Sequence, residues 1–240
     1  MLLSSELSEI TDKLCSGSFN EAALGVAMLD TVLRSLVPAI KNSRTSGAHD
    51  ARLAEFLACQ DSFQLNMASA LLSAYTTLLE SGNSTSTILV ANRLLQGLLL
   101  IHLPSRNIFS RKCAMRTVLS FLEPSYPLYL TEVCVSVVSL LVHILLKNTA
   151  NMRVFEACGG PLLVIRHLQL DGPDPSTTEQ TLRFKVVEFL IFYLGDETEL
   201  GLAHHNRTPT LTTQQKAELF RPDFPGINEL IESLNNLTSL

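Results

Sequence analysis

The stretch NMRVFEACGGPLLVIRHLQLDGPDPSTTEQTLRFKVVEFLIFYL, residues 151–194, decides how the rest of the chain is read. Its pattern predicts a short helix, a turn at Gly159-Gly160, a second helix, a polar loop and a long, almost wholly apolar third helix. Apolar residues recur at helical spacing, and period-two alternation of β-branched residues is nearly absent, so the expected fold class is all-α. A helix that is apolar around most of its circumference cannot face water alone. The unit must stack on neighbours.

The neighbours are visible as echoes. Leu95, Leu98 and Leu99 of an expected helix over 88–102 return 46 positions later as Leu141, Ile144 and Leu145, and a further 46 later as Val187, Leu190 and Ile191. Phe109, Val118, Leu119 and Leu122 precede Phe155, Val164, Ile165 and Leu168 by the same interval of 46. A period of about 40–47 residues belongs to armadillo and HEAT arrays, whose units bury their apolar faces only against one another. The expected architecture is therefore an armadillo/HEAT-like helical repeat stack over 1–194, a polar loop over 195–211, and capping helices of the same domain over 212–240.

Upstream, residues 3–14 read as a short amphipathic segment. Ser18 and Glu21 have the spacing of a capping box, opening a helix through Leu24, Met28, Val32 and Leu36 that Pro38 ends or holds in its last turn. Residues 41–47 (KNSRTSG) read as an exposed loop. Asp50 caps a segment through Phe56 and Leu57, followed by a helix over 62–79 and a polar break over 81–86. Beyond the decisive stretch, 212–220 reads as a short helix. Residues 226–237, entered from Pro225, form an amphipathic one.

The chain has 240 residues, 46% of them hydrophobic and 17% charged, with a formal charge of −5. That is core enough for one large or two small domains and too little charge for disorder. Neither the balance nor a pI near 5.7 gives a reason to expect nucleic acid as a partner. The most membrane-like run, 133–146, is 14 residues long, short of the ~20 that a spanning helix needs, and reads as a core helix. Acids in the first ten residues argue against a secretory signal. Cys15, Cys59, Cys113, Cys134 and Cys158 are odd in number and widely spaced, which predicts buried, reduced thiols rather than a disulfide or metal framework.

Candidate chemistry is sparse. Gly159-Gly160 lacks the GK[ST] ending and the preceding strand of a phosphate loop, so a tight turn is expected there. Cys158 has no His or Asp nearby in sequence to make a dyad, and reads as a packed thiol. His204-His205, with Asp196, Glu197 and Glu199 near, lacks the i, i+4 spacing of a zinc site and reads as a solvated loop. His102, His143 and His167 lie on separate helices, as boundary residues. The triplets at Asn83, Asn206 and Asn236 match the glycosylation pattern only formally, and Thr208-Pro209 is a minimal proline-directed phosphorylation site. No catalytic, cofactor-binding or metal-ligating residues are expected. The expectation is not an enzyme.

The third helix offers a surface instead. At ~100° per residue, Lys185, Glu188 and Phe192 fall on one narrow stripe of an otherwise apolar helix. Counting back by 46 from Lys185 gives Ser139 and Arg93, and from Glu188 it gives Val142 and Gln96. Arg93, Gln96, Ser139, Lys185 and Glu188, with Phe192 as an aromatic anchor, are the candidate partner-binding residues. The competing view is that the stripe is only the solvated side of each helix, with Phe192 covered by the tail.

One resemblance follows from these motifs. Phe155-x-x-x-Gly159-Gly160 with Val164 and Leu168, then Arg183-x-Lys185-x-x-Glu188-Phe189-Leu190-x-Phe192-Tyr193-Leu194, then Thr212-Thr213-Gln214-Gln215-Lys216 and a terminal helix over 227–237 resemble the fungal cell division control protein 14 family. This is the septation initiation network (SIN) component, unrelated to the phosphatase that shares its name; no Cys-x5-Arg loop occurs here. The resemblance is carried by residues 151–240. It implies a non-catalytic subunit that forms a heterodimer with a sterile-twenty-like (germinal-centre) protein kinase. It also implies action in septum formation and cytokinesis, in the cytoplasm at the spindle pole body; the charge balance and run lengths lead to the expectation of no nucleic-acid and no membrane partner, and the motifs to that of no cofactor.

Two other readings remain open from sequence. A small α-helical enzyme would need a deep polar pocket near Cys158 or His143. A generic armadillo adaptor for extended peptides relies on recurring Trp and Asn along its groove, and this chain has no Trp and only Gln96 as a groove amide.

Overall fold

In the computed structural model the described residues, 3–47, 49–81, 84–123, 130–168, 177–197 and 209–238, form twelve α-helices with short 3-10 turns and no strand. The chain divides into two compact units, Met1–Ile108 and Phe109–Leu240.

The first unit contains α1 (Leu3–Leu14), α2 (Phe19–Ser46), α3 (Ala51–Gln60), α4 (Met67–Glu80) and α5 (Thr85–Ile101). Leu3, Leu7, Ile10 and Leu14 recur every three or four residues, so α1 buries one stripe, packing against α2 and α4. α2 answers with Ala22, Gly25, Val26, Leu29, Val32 and Leu36. A Cβ at Gly25 would come within 3.0 Å of the Leu14 side chain, so glycine here sets how closely the two helices approach.

α2 departs from expectation in three ways. Its buried stripe leaves Leu24 46% exposed. Ser18 is the N-cap residue, but its side chain makes no capping bond, and Glu21 pairs with Lys13 at 2.9 Å instead. The helix also runs through Pro38 to Ser46, so the expected loop over 41–47 is helical. Pro38 lies on the exposed side, where water can take the carbonyl its missing amide leaves open. Further on, Thr45 Oγ1 donates to the Lys41 carbonyl (3.0 Å), and Ser46 Oγ donates to the Asn42 carbonyl (2.8 Å). Gly47 ends the helix with φ +66°, its amide bonded to the Ser43 carbonyl. By length and composition α2 could cross a membrane. Its apolar stripe is nonetheless packed on α1, α4 and α5.

Asp50 caps α3 as expected, accepting from the Leu53 amide at 2.8 Å. α4 starts at Met67 rather than Ser62, because two side-chain amides staple the intervening turn. Asn66 Oδ1 accepts from the Ser69 amide (3.0 Å) and Gln60 Oε1 from the Met67 amide (2.9 Å). Buried His102 lies 2.8 Å from Ser105 Oγ and 3.1 Å from Asp61 Oδ1.

The second unit contains α6 (Lys112–Leu119), α7 (Thr131–Leu145), α8 (Thr149–Ala157), α9 (Gly160–Ile165), α10 (Thr177–Tyr193), α11 (Thr213–Glu218) and α12 (Ile227–Thr238). The decisive stretch has the expected element order in α8, α9 and α10; its polar loop over 169–176 lies outside the described residues. Gly159 adopts φ +76°, and a Cβ on Gly160 would run into the ring of Phe155. The Phe-to-Gly-Gly spacing is thus a packing rule: the aromatic ring fills the place where a side chain would begin. Pro161 then opens α9 at its first turn.

Leu95, Leu98, Leu99, Leu141, Ile144 and Leu145 are all buried, each set within its own unit. The third echo slips. α10 turns Leu182, Val186, Phe189, Leu190 and Tyr193 inward, leaving Val187 half-buried and Ile191 52% exposed. The bulk of Phe189 and Tyr193 decides this, since their rings meet Phe155 at 5.7 and 5.5 Å. The thiols also differ from expectation: Cys134 is buried, Cys59 and Cys158 are half-buried, and Cys15 and Cys113 are exposed. All five are free.

Candidate binding surfaces and the buried ion cluster

α7 and α10 pack along each other, and their facing side chains leave a shallow depression of about 220 Å³. Ser139 and His143 from α7 and Lys185, Glu188 and Phe192 from α10 line it, with Val138 and Val142 as its floor. Lys185 Nζ and Glu188 Oε2 meet at 2.5 Å across one helical turn. This exposed pair contributes at most about 1 kcal/mol. His143 donates through Nδ1 to the Ser139 carbonyl (2.8 Å), and Ser139 Oγ donates to the Val135 carbonyl (3.0 Å). Phe192 stands half-buried beside them, edge-on to Phe189 at 6.3 Å.

Four of the six candidate residues, Ser139, Lys185, Glu188 and Phe192, therefore share one depression. The other two lie in the first unit on α5: Arg93 is exposed, 3.7 Å from Asp30 on α2, and Gln96 is half-buried.

A different set of charges lies inside the second unit. Glu197 is fully buried and is held by Arg153 Nη2 at 2.6 Å and Lys216 Nζ at 3.1 Å. Its other oxygen accepts from the Leu211 amide at 3.0 Å. Lys216, 1% exposed, also donates to the carbonyls of Tyr193 (2.7 Å) and Gly195 (2.8 Å). Arg153 reaches Glu156 at 2.8 Å, and Glu156 accepts from the Tyr193 hydroxyl. Burial drives the shifts. It raises the Glu156 carboxyl despite the Tyr193 bond and the Arg153 charge, lowers the Lys216 ammonium despite Glu197, and holds the Tyr193 phenol far above its ordinary value.

This cluster is not among the expected features. Glu197 falls in a stretch that reads as a polar loop beside His204-His205, which lie outside the described residues, as do Glu199, Thr208 and the triplet positions Asn83 and Asn206. A signal was present: Lys216 directly follows the Thr212-x-x-Gln215 capping box, four residues and one helical turn after the cap. The box forms, with Thr212 Oγ1 accepting from the Gln215 amide at 3.3 Å and Gln215 Oε1 from the Thr212 amide at 3.0 Å. It aims Lys216 inward rather than to solvent.

Among the described residues no group of three or more His, Cys, Asp or Glu is placed to hold a metal. Cys158 follows α8 as its C-cap, half-buried. Burial raises the Cys134 thiol to about 12, which keeps it protonated and unreactive. Burial likewise lowers His167, whose ring bonds the Leu122 backbone.

These features define an all-α protein with shallow, mixed surfaces between helices and an ionic knot within its second unit. Residues 30–209 match the family model of cell division control protein 14, SIN component, and the chain belongs to that family. It is similar to the cell division control protein 14 of Schizosaccharomyces pombe, 33% identical over 106 residues, covering 43% of this chain. The match spans 40% of that relative's length. The family match begins at residue 30, well before the motifs that carried the resemblance, and it stops before Thr212. No solved structure matches the chain.

Proposed function

We propose that the protein is a non-catalytic subunit of the septation initiation network that binds a sterile-twenty-like (germinal-centre) protein kinase and positions it for septum formation and cytokinesis. The family match over residues 30–209 carries this reading. The chemistry agrees with it: Cys134 is locked as a protonated thiol, and the buried charges of Glu197 and Lys216 are spent on each other and on backbone groups. In this reading α8, α9 and α10 form an armadillo-type unit, with α11 and α12 as its capping helices. The spindle pole body is the proposed site of action.

The surface proposed for the partner is the depression of Ser139, Lys185, Glu188 and Phe192 in the second unit, and Arg93 and Gln96 on α5 are separate candidate contacts of the first unit. Its half-buried aromatic anchor beside a partly exposed ion pair suits an interface with a polar rim more than a catalytic pocket. Coexpression with the kinase tests the proposal. A stable heterodimer on size exclusion is expected; separate elution at micromolar concentration would contradict it.

A further inference from the structure

In the first unit, α2 and α5 leave an apolar trough of about 370 Å³ between them, walled by Leu33, Val37 and Ile40 on one side and by Leu94 and Ile101 on the other. It continues past Ile40 and Ile101 into a second hollow of about 200 Å³ beside Leu57 and Leu100. Val37 and Leu100 are each 41% exposed. Gly97 lies on the α5 side of the trough.

Gly97 has no internal reason to be glycine. It lies inside a helix of 17 residues, where glycine is less favourable than alanine because its backbone loses more freedom on folding. A Cβ built on it meets nothing within 4 Å, in contrast to Gly25 and Gly160. What its missing side chain does provide is a low floor, over which the backbone of a second helix can pass closely.

The rim adds a charge preference. Asp30 is paired with Arg34 at 2.7 Å and Arg93 at 3.7 Å, and Arg44 flanks the far hollow. Two guanidinium groups thus share one carboxylate and a third stands at the far hollow, in a chain whose net charge is −5. That local excess selects an acidic partner.

We propose that this trough receives an amphipathic helix of the partner polypeptide, with its apolar stripe laid across Gly97 and acidic residues on its flanks facing Arg34, Arg44 and Arg93. A concave floor fits a cylinder, whereas a flat bilayer would rest on the rims and leave the floor empty. The inference rests on the function proposed above in taking the kinase as the source of that helix.

The test compares the unsubstituted chain with Gly97→Ala and Gly97→Leu, measuring kinase binding, thermal melting and co-sedimentation with phosphatidylserine vesicles. Gly97→Ala is expected to raise Tm by roughly 2–4 °C. Gly97→Leu, whose side chain enters open space, should melt no lower than the parent yet bind the kinase at least tenfold more weakly. Equal kinase binding by the parent and Gly97→Leu overturns the inference and leaves the proposed function standing. Failure of the unsubstituted chain to bind the kinase defeats the proposed function, and this inference with it. A large fall in Tm for Gly97→Leu would show that the fold itself needs the glycine, and vesicle binding lost on that substitution would assign the trough to a membrane; either overturns it.

Discussion

Glu197 shows how far a residue's role can lie from its sequence surroundings. It sits in an acidic, polar stretch, yet it is fully buried and ties Arg153 of α8 to Lys216 of α11 and to the Leu211 backbone. Removing its charge strands the buried Lys216 ammonium, whereas half-buried Arg153 still has Glu156 at 2.8 Å. Glu197→Gln should destabilise the protein by about 3–5 kcal/mol in urea unfolding, the usual cost of breaking a buried ion pair from one side. A loss below 1 kcal/mol would mean that water reaches the cluster. The resemblance motifs are explained at this same scale. Tyr193 and Lys216 serve the cluster, and Gly160 makes room for Phe155, so these residues support the fold. Lys185, Glu188 and Phe192, in the same motif, line a surface. Helical spacing set the Lys185, Glu188 and Phe192 stripe apart from the rest of α10, but the inward roles of Tyr193, Lys216 and Gly160 depend on tertiary contacts between three helices that spacing does not show.

At the scale of elements, aliphatic spacing was enough to find α5, α7 and α10, whose buried leucines, isoleucines and valines leave little ambiguity. It failed where polar residues continue a helix. The end of α2 is helical because Thr45 and Ser46 bond back to helix carbonyls and Gly47 supplies a left-handed cap. In sequence the same residues look like a turn. The slip of the 46-residue echo at Ile191 has a comparable origin, since aromatic bulk in α10 outweighed the register of its smaller predecessors. The 3-10 turn after α9 carries a pH dependence. Burial lowers the His167 pKa below its ordinary 6.5, so the folded protein holds this ring neutral while the unfolded chain takes up a proton. The contribution of His167 to stability is complete above pH 6.5 and is lost as pH falls through the depressed folded value. Melting temperature should therefore fall as pH drops below 6.5, and His167→Gln, which keeps a donor for the Leu122 backbone, should flatten that fall. An identical slope in both proteins would show that another group governs it.

For the molecule as a whole, the all-α class and family membership were legible, because both are written in patterns spread over many residues. The partition into two compact units, Met1–Ile108 and Phe109–Leu240, was not, since no linker-like composition marks position 108. The proposed kinase-binding role requires that the stripe on α10 be surface rather than core. One measurement bears on this most directly: kinase affinity and thermal melting recorded side by side for the triple variant Lys185→Glu, Glu188→Lys, Phe192→Ala. The account predicts at least tenfold weaker binding with Tm within a few degrees of the parent, as expected where none of the three side chains is fully buried. Unchanged affinity, or a collapse in Tm comparable to that of Glu197→Gln, would contradict it.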